Sequence, residues 1–292
     1  FEASEMSAYL RGVFKPVVRR VVVSHPKTNA WIGKDPRKSD GVDARKLADL
    51  LRAGMVKREV YYSDDPARVT FKQIVQQYEY TTRQETSLKL RIKSAFRQQG
   101  AIARGESVYG KKGRGEWLAR VSDEHVRLGI GALYDSLDQA LLSQEKIEKV
   151  MCSLSKRFPE VALIDSIPGM GKICSCTFVA YIQDPTRFSS RRDLWSYCGL
   201  AVMHPSSDGK PTGPPHLNRR MGNPHLKDVS RKAFMGAMRC QKLNWFKKAY
   251  LAAVRGGKNK EHARLNVQRA ILAVSRAVWK SCRKYKDMGE VR

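Results

Sequence analysis

Acidic residues are scarce in this 292-residue chain, with 28 Asp and Glu against 55 Lys and Arg, a formal net charge of +27. Cysteine is also sparse. The six cysteines, at 152, 174, 176, 198, 240 and 282, contain no C-x-x-C pair and are too few to staple a chain of this length, so reduced thiols are expected. No run of about 18 apolar residues exists, which excludes a membrane-spanning helix. The sequence opens on Phe1, with neither an initiator Met nor a signal peptide, and it has no internal repeat and no long low-complexity tract. What is present is a hydrophobic fraction of 42%, enough for real cores over roughly two domains, so a disordered basic tail does not fit.

So large a positive excess concerns partners, because its self-repulsion is offset by binding a polyanion, and nucleic acid is the obvious one. The charge is uneven. Residues 1–64 and 65–160 each carry a net +5, and residues 161–292 carry +17, so most polyanion affinity is expected in the last third.

Residues 4–15 read as a helix, the β-branched run 17–26 as a buried strand, 43–55 as an amphipathic helix with Leu47, Leu50 and Leu51 on one face, and 58–63 as a second strand. That is α/β architecture over residues 1–65. Residues 66–99 lack Pro and Gly between Pro66 and Gly100 and space Val69, Ile74, Leu88, Ile92 and Phe96 as a long helix. A glycine-rich tip at 110–116 precedes a second long helix over 123–157. Together residues 66–160 read as an antiparallel coiled-coil arm around a flexible tip. Residues 161–292 read as a mainly helical domain, with a Pro-, Gly- and Ser-rich stretch at 204–224 and two basic helices near 225–255 and 261–287.

Four motifs carry possible chemistry. Pro168, Gly169 and Gly171 make a tight turn between two apolar segments, which resembles the helix-hairpin-helix of DNA-handling proteins. Glycines let backbone approach a phosphate at a helix N-terminus, where Lys172 adds a cation. An ordinary helix corner is the alternative. Asp40 and Asp43 lie three apart at a helix start, on one face and about 5–6 Å apart, suited to a divalent cation or to capping and first-turn charge. Glu2 adds a third hard oxygen donor of the kind Mg2+ takes. Finally, Ser206 and Ser207 precede Gly209 and Lys210, with Arg219, Arg220 and Gly222–Asn223 downstream. A hydroxyl among cations can attack a phosphate, although such a string is also an ordinary turn.

The order of these pieces resembles the transposases of insertion-sequence family one-hundred-and-ten, relatives of the Piv invertase. The resemblance runs through Glu2–Ala3–Ser4 with Tyr9–Leu10, KSDGVDARKLA at 38–48, IPGMG at 167–171, RFSSRRDLWSYCGLA at 187–201, and the stretch from Ser206 to Asn223. It implies an RNase H-like (RuvC-like) N-terminal domain with four carboxylates, of which Glu2, Asp40 and Asp43 match the second, third and fourth. The first aspartate of the pattern belongs to an opening strand upstream of Glu2, so that strand is expected to be missing. The resemblance also implies a nucleophilic serine after Gly199–Leu200–Ala201, which falls on Ser207 with Ser206 one step away. This sequence departs from the pattern at Val202, Asp208 and the longer loop with Pro211, Pro214 and Pro215.

By the same resemblance, a structured noncoding guide RNA pairs with donor and target double-stranded DNA, and the protein supplies mainly backbone-binding surface. The expected protein is a homo-oligomeric (dimeric or tetrameric) cytoplasmic, nucleoid-associated recombinase that uses Mg2+, with Gly169, Gly171, Lys172, Lys210, Arg219 and Arg220 on nucleic acid. A RuvC-type junction nuclease working by metal-activated water, and a non-catalytic basic nucleic-acid scaffold, are the alternatives.

Overall fold

The structure, a computed structural model, describes residues 1–26, 39–56, 59–203, 205–208, 210–214, 216–217 and 222–287. The chain divides into two compact units, residues 1–69 and 70–292. It is mostly helical, and among the described residues no helix is long and apolar enough to cross a membrane.

In the first unit, α1 (Ser7–Phe14) and α2 (Asp40–Arg52) form as expected. Ser39 caps α2, its hydroxyl accepting from the Val42 amide at 3.3 Å, while Asp40 and Asp43 sit in the first turn where the helix dipole favours negative charge. The two expected strands shrink to single bridges. Ser24 pairs in parallel with Glu2 and antiparallel with Glu59, held by Ala3 N–H to Ser24 O at 2.9 Å, Ser24 N–H to Phe1 O at 2.9 Å and Val60 N–H to Val23 O at 2.7 Å. Burial explains the shortfall. Of the run 17–26 only Val23 and Ser24 are buried, whereas Val17 is 76% exposed and Arg19 and Arg20 interrupt the apolar pattern. Ladders extend where a face is covered, and here the cover ends within a few residues. The α2 face of Ala44, Leu47, Ala48 and Leu51 looks onto Phe1, Val22 and Ser24 across an open apolar groove, and no side chain of α2 is buried.

Two long helices follow, α3 (Pro66–Gln98), all but its first four residues in the second unit, and α5 (Glu124–Leu154). They run antiparallel, since Gln144 Nε2 donates to Thr82 Oγ1 at 2.9 Å and Phe96 meets Tyr134 at 6.4 Å between ring centroids. The tip between them was expected to be flexible. Instead it folds into a small cap of 3-10 turns at Ser107–Tyr109 and Lys111–Gly113 and the short helix α4 (Arg114–Leu118). Val108 and Val121 bury against Ile92, Phe96, Ile130 and Leu137, and the Tyr134 hydroxyl donates to Val108 O at 2.7 Å. Arg114 grips Asp138 with two nitrogens, at 2.7 and 2.9 Å, and its guanidinium lies 4.5 Å from the Tyr134 ring centre. Glycines that read as a breaker are here the joints of an ordered turn.

The rest of the unit is a helical assembly of α6 (Pro159–Asp165), α7 (Gly171–Ile182), α8 (Arg191–Tyr197), α9 (Pro224–Arg239), α10 (Trp245–Arg255) and α11 (Lys260–Ser281). α9 buries Leu226, Val229, Ala233, Phe234 and Ala237, a three-and-four spacing that puts one apolar stripe against α7 and α11. The expected pair of basic helices is three. The chain breaks after Arg239 because Cys240 is extended, and Asn244 both donates to Ala237 O at 2.9 Å and caps α10 through the Lys247 amide at 3.0 Å. α11 is the central rod, with Val267, Ile271, Leu272, Ser275, Val278 and Trp279 buried.

Candidate functional site

Ser207 lies at the end of a nested hairpin built on two antiparallel rungs. The outer rung pairs β1 (Val202–Met203) with β4 (His216–Leu217), and the inner pairs β2 (Ser206–Ser207) with β3 (Lys210–Pro211). Ser207 stands directly opposite Lys210 across a two-residue turn in which Asp208 adopts a φ of +52°. The Asp-Gly pair is the sequence that such a left-handed turn favours. Both serines are exposed. Successive strand residues point to opposite faces, so Ser207 shares its face with Lys210, whereas Ser206 is registered with Pro211.

A rigid neck holds this hairpin. Gly199 and Gly222 press backbone to backbone, and the Asn223 amide donates to Tyr197 O at 2.7 Å. Asn223 then caps α9, its side chain accepting from the amides of His225 at 3.0 Å and Leu226 at 3.2 Å. Arg269 of α11 donates to Leu200 O at 2.9 and 2.5 Å and lies over Trp195, whose indole N–H returns a bond to Arg269 O at 3.0 Å. The sequence elements Gly199–Leu200–Ala201 and Gly222–Asn223 are thus the two sides of one clamp. Beneath them Cys198 is fully buried, and that burial pushes its thiol well above the usual range.

The turn at Pro168–Gly171 links α6 to α7, and its two glycines differ in what they need. A β-carbon on Gly169 would lie 2.1 Å from Ala233 O and 2.4 Å from Ala237 N, so this glycine exists to let the turn pack on α9. Gly171, with a φ of +57°, has nothing within 4 Å of where its β-carbon would be. Of the pair expected to approach a phosphate, only Gly171 leaves room for one. Lys172 follows in the first turn of α7, half-buried. Arg219 and Arg220 lie outside the described residues.

The carboxylates of the first unit sit on two neighbouring elements. Asp40 and Asp43 continue, at the N-terminal end of α2, the face that looks onto Phe1, Val22 and Ser24, and Glu2 is the residue that bridges to Ser24. One oxygen of Asp43, Oδ1, is buried with no hydrogen-bond partner among the described residues. Among those residues no three His, Cys, Asp or Glu side chains come together as a metal-holding group.

Sequence reasoning missed one polar network in the second unit. The Tyr181 hydroxyl of α7 donates to Glu79 Oε2 of α3 at 2.7 Å, and His225 Nδ1 of α9 lies 2.8 Å from the same oxygen. The Tyr181 and His225 rings stack at 4.4 Å. Burial, then the bond to Glu79, raises the Tyr181 phenol far above its ordinary value. Nearby, burial and then the Arg187 charge lower the ammonium pKa of Lys72, whose Nζ is 5.6 Å from the Tyr181 ring centre. Only His225, adjacent to the Asn223–Pro224 pair, had a local signal. Glu79 had none, since nothing on a long polar helix marks which carboxylate meets the tyrosine of a distant helix.

Residues 161–251 match the family model described as Transposase IS116/IS110/IS902 family. No curated protein matches the chain. The matched third of the sequence holds the α6–α7 turn, the serine hairpin with its Gly199–Gly222 contact, α9 and the first seven of the eleven residues of α10, so the transposase signal falls on the geometry built around Ser207. It supports a DNA transposase, an enzyme whose substrate is the polyanion that the +17 charge of residues 161–292 suits. Glu2, Asp40, Asp43 and the arm lie outside the matched residues.

Proposed function

We propose that the chain is a site-specific DNA recombinase of an insertion sequence, cutting and rejoining strands through a serine phosphodiester. The observation that carries this is Ser207, exposed on a clamped hairpin, with Lys210 on its own face, inside the segment that matches a transposase family. In the proposed step Ser207 Oγ loses its proton and bonds to a DNA phosphorus while the P–O bond to the leaving sugar oxygen breaks and that oxygen takes up a proton. Lys210 faces the negative charge that gathers on the phosphate, and the clamped neck keeps the hydroxyl placed as it attacks.

Glu2, Asp40 and Asp43 would hold Mg2+ in an RNase H-like first unit. Their hard oxygen donors support this reading, as does the buried Oδ1 of Asp43, which has no hydrogen-bond partner among the described residues. Bound there, Mg2+ supplies charge neutralisation at the scissile phosphate. Asp43 and Asp40 orient through α2 and its Ser39 cap, Glu2 through the bridge to Ser24. The proposal further takes the assembled enzyme to be a homo-oligomer, guided to donor and target duplexes by a structured noncoding RNA. The basic surface and the backbone-compatible turn at Gly171 support that division of labour, in which RNA selects sequence and protein grips phosphate.

The test is to incubate the protein with its flanking noncoding RNA and DNA duplexes and look for a covalent adduct on a denaturing gel. The expected result is an adduct with wild type and none with Ser207→Ala, which still binds nucleic acid. Cleavage without any adduct, or an adduct surviving in Ser207→Ala, overturns the serine assignment.

A further inference from the structure

The middle third of the chain hides a strong charge asymmetry. Residues 65–88 carry three basic and three acidic side chains, and residues 121–160 carry five and seven. Residues 89–120, the end of α3 and the cap that follows it, carry nine basic and two acidic, a net +7. The cap is an ordered body fixed by the Arg114–Asp138 fork and the Tyr134–Val108 bond, so this charge is held in place at the end of two long helices. Lys89 and Lys93 set their ammonium groups 5.2 and 5.1 Å from the Tyr109 ring centre, and Arg120 lies 4.2 Å from that of Trp117. Arg91, Lys93, Arg97, Arg104, Lys112 and Arg120 form no ion pair with a carboxylate among the described residues.

We infer that the arm tip is a second nucleic-acid site, gripping the phosphate backbone of a duplex or structured strand away from the serine hairpin. A cluster of like charges on a small body costs repulsion that a polyanion removes; carboxylates pair with Lys89, Lys111 and Arg114 and leave the other six cations without an acidic partner among the described residues. The two aromatic faces already carry cations, so they hold lysine and arginine towards the strand and do not stack bases. Recognition is therefore of backbone and not of sequence. An arm so tipped holds a strand at a distance set by helix length, about 45 Å for some thirty residues. This rests on the proposed function only in taking nucleic acid as the partner.

The experiment uses the full-length protein and compares wild type with the triple variant Arg97→Ala, Arg104→Ala, Lys112→Ala, all three exposed side chains. Binding to duplex DNA and to a structured RNA is measured over a series of salt concentrations. If the tip grips DNA, the slope of log K against log salt on duplex falls by about 0.9 per lost contact, up to about 2.7, while binding to RNA is unchanged. If it grips RNA, the loss appears on RNA alone. Unchanged slopes and affinities on both overturn the inference. Trypsin footprinting of wild type serves as the check that needs no variant: nucleic acid should protect Lys111, Lys112 and Arg104 from cleavage, and equal cutting with and without it counts against the site. Wild type that binds neither nucleic acid sinks the proposed function itself, a result distinct from a tip variant that binds normally.

Discussion

Gly222 and Gly199 meet backbone to backbone, so that a β-carbon on Gly222 would lie 2.3 Å from both the Cα and the N of Gly199. The contact closes the base of the serine hairpin. Gly222→Ala must part these two segments and also hold an alanine at a φ of +87°. The expected cost is about 2–3 kcal/mol, which lowers Tm by roughly 4–12 °C and reduces DNA cleavage further than the stability loss explains. A Tm equal to that of wild type would show that the neck does not depend on this contact.

The two glycines of the α6–α7 turn separate packing from binding. Gly169→Ala drives a methyl into Ala233 O and the Ala237 amide and is expected to cost more than about 3 kcal/mol, seen as loss of soluble protein or a large fall in Tm. Gly171→Ala meets only the strain of a positive φ, about 1 kcal/mol, because its side is open. If DNA backbone approaches there, affinity for duplex falls several-fold with Tm little changed. Equal Tm losses for the two variants would contradict the packing described for Gly169.

Ser206 and Ser207 face opposite sides of their hairpin, which makes the choice between them measurable. Ser206→Ala should retain the DNA adduct and Ser207→Ala should lose it. Lys210→Ala should slow adduct formation by about ten- to a thousandfold while leaving the hairpin in place, since removing one charge-stabilising group at a transition state typically costs that much. Loss of the adduct in Ser206→Ala alone would reverse the assignment of faces.

How much of this was legible follows from the range of each signal. Periodicity alone places α2, α3 and α5 within a few residues, because a helix face is a local property. The run from Val17 to Pro26 misleads for the complementary reason. Its composition suits a strand, but a strand is completed by neighbours, and here cover reaches only Val23 and Ser24. The glycines at 110–116 read as a flexible tip, while the order of the cap comes from Arg114 meeting Asp138, a contact across 24 residues of sequence. The candidate site shows the same division. Ser207 and Lys210 are three residues apart, so their pairing across one turn is a local property. Glu79, Tyr181 and His225 come from three distant helices, and no local pattern announces that they meet.

Acid should weaken the arm tip through Asp138. The Arg114 guanidinium beside it holds this carboxyl below its ordinary value of 3.8. A carboxyl whose value is depressed on folding stabilises the folded state above the unfolded value, and that contribution is lost as pH falls through the folded one. Asp138→Asn removes the charge at every pH. The Tm difference between wild type and Asp138→Asn is therefore expected to be largest at about pH 6 and to shrink as pH drops below 3.8. A difference that stays constant over that range would mean that the Arg114 pair contributes nothing to the cap.

Glu79 ties the arm to the helix that anchors the serine hairpin, so its removal should be felt at both. Oε2 of this carboxylate accepts from the Tyr181 hydroxyl and faces His225 Nδ1, and His225 is the second residue of α9, directly after the Asn223–Pro224 junction that forms the neck. Glu79→Ala leaves the buried Tyr181 hydroxyl without its acceptor, at a cost of about 1–3 kcal/mol. Glu79→Gln keeps a carbonyl oxygen that can take the same bond, and only the charge towards His225 is lost. The alanine variant should therefore melt several degrees below the glutamine variant and cleave DNA more slowly, because a loosened start of α9 lets Asn223 and Gly222 shift under the hairpin. If both variants melt and cleave as wild type does, the network does not brace the neck, and the order of the serine hairpin comes from Gly199, Gly222 and Arg269 alone.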